Sequence, residues 1–432
     1  MGIFTTLRNA WKIADLRKKI LFTVLIIVLF RIGASIPVPF LSSGAIASYF
    51  STQQNTLLGY MNMLSGNSLS IGTMFALTIQ PYINASIIIQ LLTVAIPYFE
   101  RLAKDDSAEH KGRKKLNKIT RYTTIGIALL QSFGYYQLLS SADGVLAESN
   151  SGFETFLRAA TIIMTLVAGS SLVQWLGESI DESGIGNGIS MILFASIVSR
   201  APALLSYVIN SFSDGTWWIA LIIVVLAILL FGFTVFMDSA ERRITVQYAK
   251  RQVGRKIYGG QRQQLPIKVC MTGVMPIIFA FAITSLPATI GAFFPNSGYA
   301  KWVEDHFSQT SIVYMIVAFV LIIAFNYFYI AIQYNAADIA KQMRENGGTI
   351  PGIRPGIPTV NFIMNSVNKV TLFGALFLGV VAILPYVIER ITGVQNVALG
   401  GTSMLILVSV ALETVRILEA QMIQRNMPSV LD

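Results

Sequence analysis

The chain has 432 residues; 54% are hydrophobic, 12% are charged, and the formal net charge is +10. A soluble domain carries about one charged residue in four, so a water-soluble globule is excluded because it would expose large apolar patches. Disorder is excluded because it needs low hydrophobicity. A disulfide scaffold is excluded because Cys270 is the single cysteine, a count that leaves the redox compartment open. The remaining class is an all-α polytopic membrane protein.

The N-terminal segment 1–19 holds Arg8, Lys12, Arg17, Lys18 and Lys19. A first span is predicted at 20–38. It is long, ends at Pro37-Val38-Pro39 and is followed by no small-residue cleavage site, so it is expected to be retained. After Arg31 the next charge is Glu100, leaving 68 consecutive uncharged residues. A bilayer explains that run, because a charge at mid-span costs about 2.5–3.5 kcal/mol.

Within the run, segment 40–69 is polar, and its Leu57–Gly66 piece is apolar but too short to cross. Two readings stand: a re-entrant piece enclosed by protein or a water-filled cavity, or an amphipathic turn on the membrane surface. Further spans are predicted at 70–96, 119–139, 155–174, 189–210, 216–237, 270–290, 311–333, 370–388 and 398–417, ten in all. The run Gly184-Ile185-Gly186-Asn187-Gly188 lacks the preceding strand and following Lys of a phosphate loop. It reads as a tight turn into the fifth span.

Two connections are too long to be simple links. In 238–268, Arg243–Tyr248 alternates apolar and polar residues, a strand signature. Basic residues follow at Lys250, Arg251, Arg255 and Lys256, then Ile257-Tyr258. This predicts a β-hairpin with a cationic tip. In 334–369, Pro355-Gly356 suits the central pair of a type II turn. Arg354 beside it suits docking to a carboxylate or phosphate; an ordinary solvated loop is the alternative.

Basic residues orient the chain. Alternate connections and the termini hold 27 Lys/Arg on one side against 2 on the other. Both termini are therefore expected in the cytoplasm. The short 175–188 connection dissents, with Glu178, Asp181 and Glu182 and no base. Five spans precede residue 211 and five follow, so the halves 1–211 and 212–432 are expected to have inverted topology. The span cores hold no Asp or Glu, and no nucleophile, metal or nucleotide motif is found. No cofactor is expected, and a passive conduit is favoured. A secondary transporter would need a polar mid-membrane site, for which the chain offers Gln80, Asn84 and Asn326. An intramembrane enzyme would need nucleophile or metal residues.

Several motifs in order resemble the SecY family of protein-conducting channels. They are Phe30-Arg31-Ile32-Gly33 with Ile36-Pro37-Val38-Pro39, Pro81 to Leu92, Leu176-Gly177-Glu178, and Gly184 to Ser190. Arg242-Arg243-Ile244 with Tyr248 to Gln252, Gly352 to Gly356, and Gly400-Gly401-Thr402-Ser403 complete the set. The resemblance implies an hourglass pore between the halves, opening sideways to lipid between the second/third and seventh/eighth spans. It implies a short plug helix near 57–67, including Tyr60, Met61, Asn62, Met63 and Leu64. The constriction it implies is an apolar ring of Ile79, Ile83, Ile189, Leu193, Ile278 and Ile406, with Leu193 where the family suggests isoleucine. Arg251, Arg255, Lys256 and Arg354 are the residues it suggests for docking the ribosome or the SecA motor ATPase. SecE and SecG small subunits, signal sequences, nascent polypeptides and membrane lipids are the other implied partners.

Overall fold

The structure, a computed structural model, describes residues 3–52, 62, 65–103, 111–140, 144–146, 152–199, 202, 206, 209, 217–248, 250–253, 256–259, 262–293, 297–308, 311–392 and 398–426. Each of the ten predicted apolar runs is helical over most of its described length. The helices of the first half are α1 (Ile3–Lys12), α2 (Ala14–Gly33), α3 (Ser43–Thr52), α4 (Ser68–Ile71), α5 (Gln80–Ala95), α6 (Pro97–Ala103), α7 (Lys111–Ser140), α8 (Gly152–Ser183) and α9 (Gly188–Val198). The second half contains α10 (Trp217–Ser239), α11 (Met275–Thr284), α12 (Leu286–Phe293), α13 (Gly298–Phe307), α14 (Ile312–Gln333), α15 (Ala336–Glu345), α16 (Ile357–Thr392) and α17 (Ala398–Asn426).

Several spans are broken where the sequence predicts continuity. The second span begins at Gln80, with Pro81 in the first turn where its missing N–H is harmless. It stops at Ile96, which is extended because Pro97 follows. There the axis bends by 109° into α6. The seventh span is likewise two helices meeting at Ser285. Among the described residues, Gly152–Ser183, Ile312–Glu345 and Ile357–Ile388 are by themselves long and apolar enough to cross a membrane, and the bent α5–α6 pair passes jointly.

Segment 40–69 contains a helix the sequence reading did not assign. Uncharged α3 buries Ile46 and Phe50 in a second apolar cluster with Leu69, Leu77, Tyr135, Leu139, Ile162 and Leu166. The Phe30-Arg31-Ile32-Gly33 motif has a packing cause. Phe30 and Phe75 stack at 5.7 Å between centroids. The Phe75 ring also lies over Gly33, where a Cβ would have no room. Met74 N–H donates to the Ile36 carbonyl and Val38 N–H to the Gly72 carbonyl, both at 2.9 Å, so 36–38 and 72–74 pair as short extended segments.

Elements before and after residue 211 meet along two seams. On one, α5 packs on α11 and α7 on α12; on the other, α1 and α9 pack on α17. The larger apolar cluster runs from Phe30, Ile79 and Ile192 across to Ile278, Phe325, Tyr386 and Ile406, so both halves share it.

The 238–268 projection is a longer hairpin than the sequence suggested. β1 (Glu241–Tyr248) and β2 (Lys250–Val253) lead out, and β3 (Lys256–Gly259) and β4 (Arg262–Lys268) return. β1 pairs antiparallel with β4, Ile244 opposite Leu265. β2 pairs with β3, placing Arg251 opposite Tyr258 and Lys256 opposite Val253. The return strand is thus 262–268, with 256–259 paired closer to the tip. A further strand, β5 (Gly348–Thr349), comes from the other long connection and adds to β1. The two projections form one sheet, order β4-β1-β5. Its apolar face, Ile244, Val246 and Ile267, packs on Met343, Ile350 and Ile363. Tyr334 lies against this cluster.

Gly348 is the tight point. A Cβ there would stand 3.0 Å from the Tyr248 ring and 3.2 Å from the Met343 carbonyl oxygen. Gly348→Val is therefore expected to cost about 1–3 kcal/mol locally and detach β5. Hydrogen exchange at Tyr248 and Thr349 should quicken by about tenfold or more, with the spanning helices unaffected.

Candidate functional site: an apolar constriction

Two turns aim side chains at the middle of the bundle. Before α5, Thr78 has φ 47°, a left-handed conformation that strains a β-branched residue. Ser170 Oγ–H of α8 donates to the Thr78 carbonyl at 3.3 Å. This turn sets Ile79 at the helix start, with Ile83 one turn on. Before α9, Gly186 has φ 80°, and Asn187 caps the helix by accepting the Ser190 N–H at 3.1 Å. Asp181 Oδ1 accepts the Gly188 N–H at 2.7 Å, and Thr23 Oγ1 accepts the Ile185 N–H at 3.1 Å. The glycine run is thus a tight turn into α9, which carries Ile189 and Leu193.

Ile79, Ile83, Leu193 and Ile278 line one cavity of about 20 Å³ with Thr78, Gln80, Phe281 and Ala282. That is room for about one water molecule. Ile406 is buried in the same apolar cluster, and Ile189 packs on it half-buried. None of the six is exposed. Sequence reasoning missed Phe281 and Ala282. Phe281 lies three residues beyond Ile278 in α11, a spacing that puts both on one helical face.

Of the polar residues set aside for a transporter, neither Asn84 nor Asn326 lines the cavity. Gln80 lines the cavity, Asn326 accepts Thr272 Oγ1–H at 2.9 Å, and the buried Asn84 Nδ2 has no hydrogen-bond partner among the described residues. Among the described residues, no group of three or more His, Cys, Asp and Glu side chains could hold a metal ion. The dissenting acids are partly engaged: Arg121 of α7 pairs with Glu178 of α8 at 2.6 Å.

Of the plug residues, Asn62 is described; Tyr60, Met61, Met63 and Leu64 lie outside the described residues, as does Arg255. The backbones of Arg251 and Lys256 lie in β2 and β3. Arg354 is exposed. Its loop turns at Gly352, φ 83°, and at Gly356, φ 106°, the latter matching the expected Pro355-Gly356 turn. Thr359 Oγ1–H also donates to the Arg354 carbonyl at 2.9 Å.

A solved protein-conducting channel aligns with TM-score 0.67 over 96% of this chain and 94% of its own, at 19% identity. Canine Sec61 from a ribosome–channel complex aligns with TM-score 0.64 over the same shares, also at 19%. The fold is that of the protein-conducting channels. The SecY family model matches residues 73–415. Protein translocase subunit SecY of Streptomyces scabiei is 39% identical over 436 residues, covering 98% of this chain and 99% of the relative. That of Corynebacterium glutamicum is 40% identical at the same coverage, and that of Bacillus subtilis 38% over 98% of each chain. The chain belongs to the SecY family.

The approach of α9 to α8 can be tested directly. Gly188 sits against the Gly177 carbonyl with no space for a Cβ. Gly188→Val should displace α9, costing about 1–3 kcal/mol and lowering the thermal unfolding midpoint in detergent. Gly126→Ala in α7, where a Cβ would meet nothing within 4 Å, should leave it unchanged or raised.

Proposed function

We propose that this chain is the pore-forming subunit of a protein translocase in the bacterial plasma membrane, with both termini in the cytoplasm. Unfolded secretory chains pass between the halves 1–211 and 212–432, and transmembrane segments leave sideways into lipid. The observation that carries the reading is the meeting of Ile79, Ile83, Leu193 and Ile278 at one small cavity between the halves.

The physics suits that task. A conduit for chains of any sequence cannot use specific polar sites, since each would trap some substrate. Branched aliphatic side chains move aside for a chain and close behind it, and a narrow apolar gap dewets and so blocks ions. The side opening falls along the seam where α5 and α7 meet α11 and α12. A signal helix enters lipid there because its burial in hydrocarbon is favourable. By the family resemblance, segment 57–67 is the plug of the outer funnel. A solved SecY whose plug is described as stabilising the closed state and maintaining a membrane seal aligns with TM-score 0.69 at 20% identity.

The chain offers no nucleotide motif, so the drive comes from a partner. Arg251, Arg255, Lys256 and Arg354 form the docking surface for the ribosome or the SecA motor, and the shared β4-β1-β5 sheet supports both projections. Two fold relatives are ribosome-bound channels, canine Sec61 and yeast Ssh1. SecE and SecG are the expected small subunits.

In the reconstituted channel, Ile83→Gly with Ile278→Gly should raise resting ion conductance; an unchanged current would remove these residues from the seal. Arg354→Glu should abolish motor-driven export while the protein still inserts and assembles. Normal export by that variant would remove Arg354 from the docking surface.

A further inference from the structure

We propose that the Tyr135 hydroxyl is a positioning group for the resting seal: acting in series with the Asn62 side chain, it ties the plug to the helical seam. The inference rests on the plug reading above. Its basis is one peptide unit, Leu69–Ser70, held at both ends. The Leu69 carbonyl accepts the Tyr135 O–H at 2.7 Å. The Ser70 N–H of the same unit donates to Asn62 Oδ1 at 2.9 Å. Hydrogen bonds in series through one amide polarise one another, so loss of either weakens the other.

A parallel path joins the same residues. Leu69 N–H donates to Ser65 Oγ at 3.2 Å, and Ser65 Oγ–H donates to the Asn62 carbonyl at 2.8 Å. That carbonyl also accepts the Asn67 N–H at 3.0 Å. Asn62, Ser65 and Asn67 lie inside the proposed plug, 57–67; Leu69 and Ser70 lead from it to α5. Gly66 fixes where this segment turns, because at φ +63° a Cβ would stand 2.8 Å from the Ser196 carbonyl oxygen of α9.

The other end of the tie is placed to feel the seam. Tyr135 is buried near the end of α7, and α7 is a helix through which the first half meets α12 of the second. An O–H···O bond weakens steeply as it lengthens past about 3 Å. A shift of α7 relative to Leu69 therefore weakens the Tyr135 bond. The Leu69 carbonyl would keep the Gly72 N–H, at 3.2 Å, as its other partner, so the anchor can let go without stranding a buried acceptor. Seam opening and plug release are coupled through one phenol.

The test uses the full reconstituted translocase. Tyr135→Phe keeps the ring in its apolar cluster and removes one oxygen, so assembly and melting should match the parent. Resting ion conductance should rise about fivefold, the effect of one net hydrogen bond on a closed–open equilibrium. Export of a precursor with a shortened apolar signal should rise relative to the intact precursor. Asn62→Ala should raise conductance less, because the Ser65 path still joins its backbone carbonyl to Leu69, and the double variant should not exceed the Tyr135→Phe effect, because both act on one amide. Deletion of 57–67 sets the ceiling. If the deletion leaks and Tyr135→Phe does not, the tie is overturned and the plug reading stands. If the deletion itself does not leak, the plug reading falls and the tie with it. Additive single effects, or a Tyr135→Phe variant that only melts earlier, also overturn the proposal.

Discussion

An unpaired backbone or charged group in hydrocarbon costs several kcal/mol, and the rest of this structure follows from avoiding that cost. The 68-residue uncharged stretch, the empty span cores and the helix that fills most of the described length of each predicted run are one requirement seen three ways. The same requirement permits departures from helix where protein encloses the backbone. The segments around 36–38 and 65–78 are non-helical for much of their length, yet Val38, Thr73, Met74 and Leu69 all place their N–H groups on protein oxygens.

Those enclosed irregular segments shape the interior. A straight second span would carry Ile79 past the middle of the bundle. Instead the left-handed Thr78 and the helix start at Gln80 direct Ile79 and Ile83 to the same point that α9 and α11 reach from other directions. Strain at Thr78 costs about 1–3 kcal/mol and persists because Ser170 and the stacked Phe30–Phe75 pair hold the segment on both sides. Glycine permits the close helix approach at Gly188. The apolar meeting point is thus built by turns and glycines as much as by the isoleucines that line it.

The two long connections follow the opposite logic. They are charged, and they fold as sheet and helix through their own apolar cluster. Alternation in Arg243–Tyr248 reveals β1, because side chains in a strand change face at every residue. Nothing local reveals β5. Two residues, Gly348 and Thr349, carry no period, and their pairing with β1 joins positions as far as 102 apart in sequence, Gln247 and Thr349. Arg354 therefore reads as a lone cation in sequence, whereas in the fold it stands five residues beyond a strand that joins both projections.

The sequence by itself determined the class of protein, the positions of the apolar runs, the bias of basic residues to alternate connections, and the motifs that mark the SecY family. Hydropathy and charge act residue by residue, so they are written along the chain. Only the tertiary structure decided that Phe281 and Ala282 join the isoleucines at one cavity, where the second and seventh spans break, that α3 occupies the polar stretch, and that Tyr135 meets Leu69. Those outcomes are set by contacts between residues distant in sequence, and every apolar helix presents aliphatic side chains of nearly the same local character. Packing geometry alone separates an isoleucine at the bundle's centre from one that faces lipid.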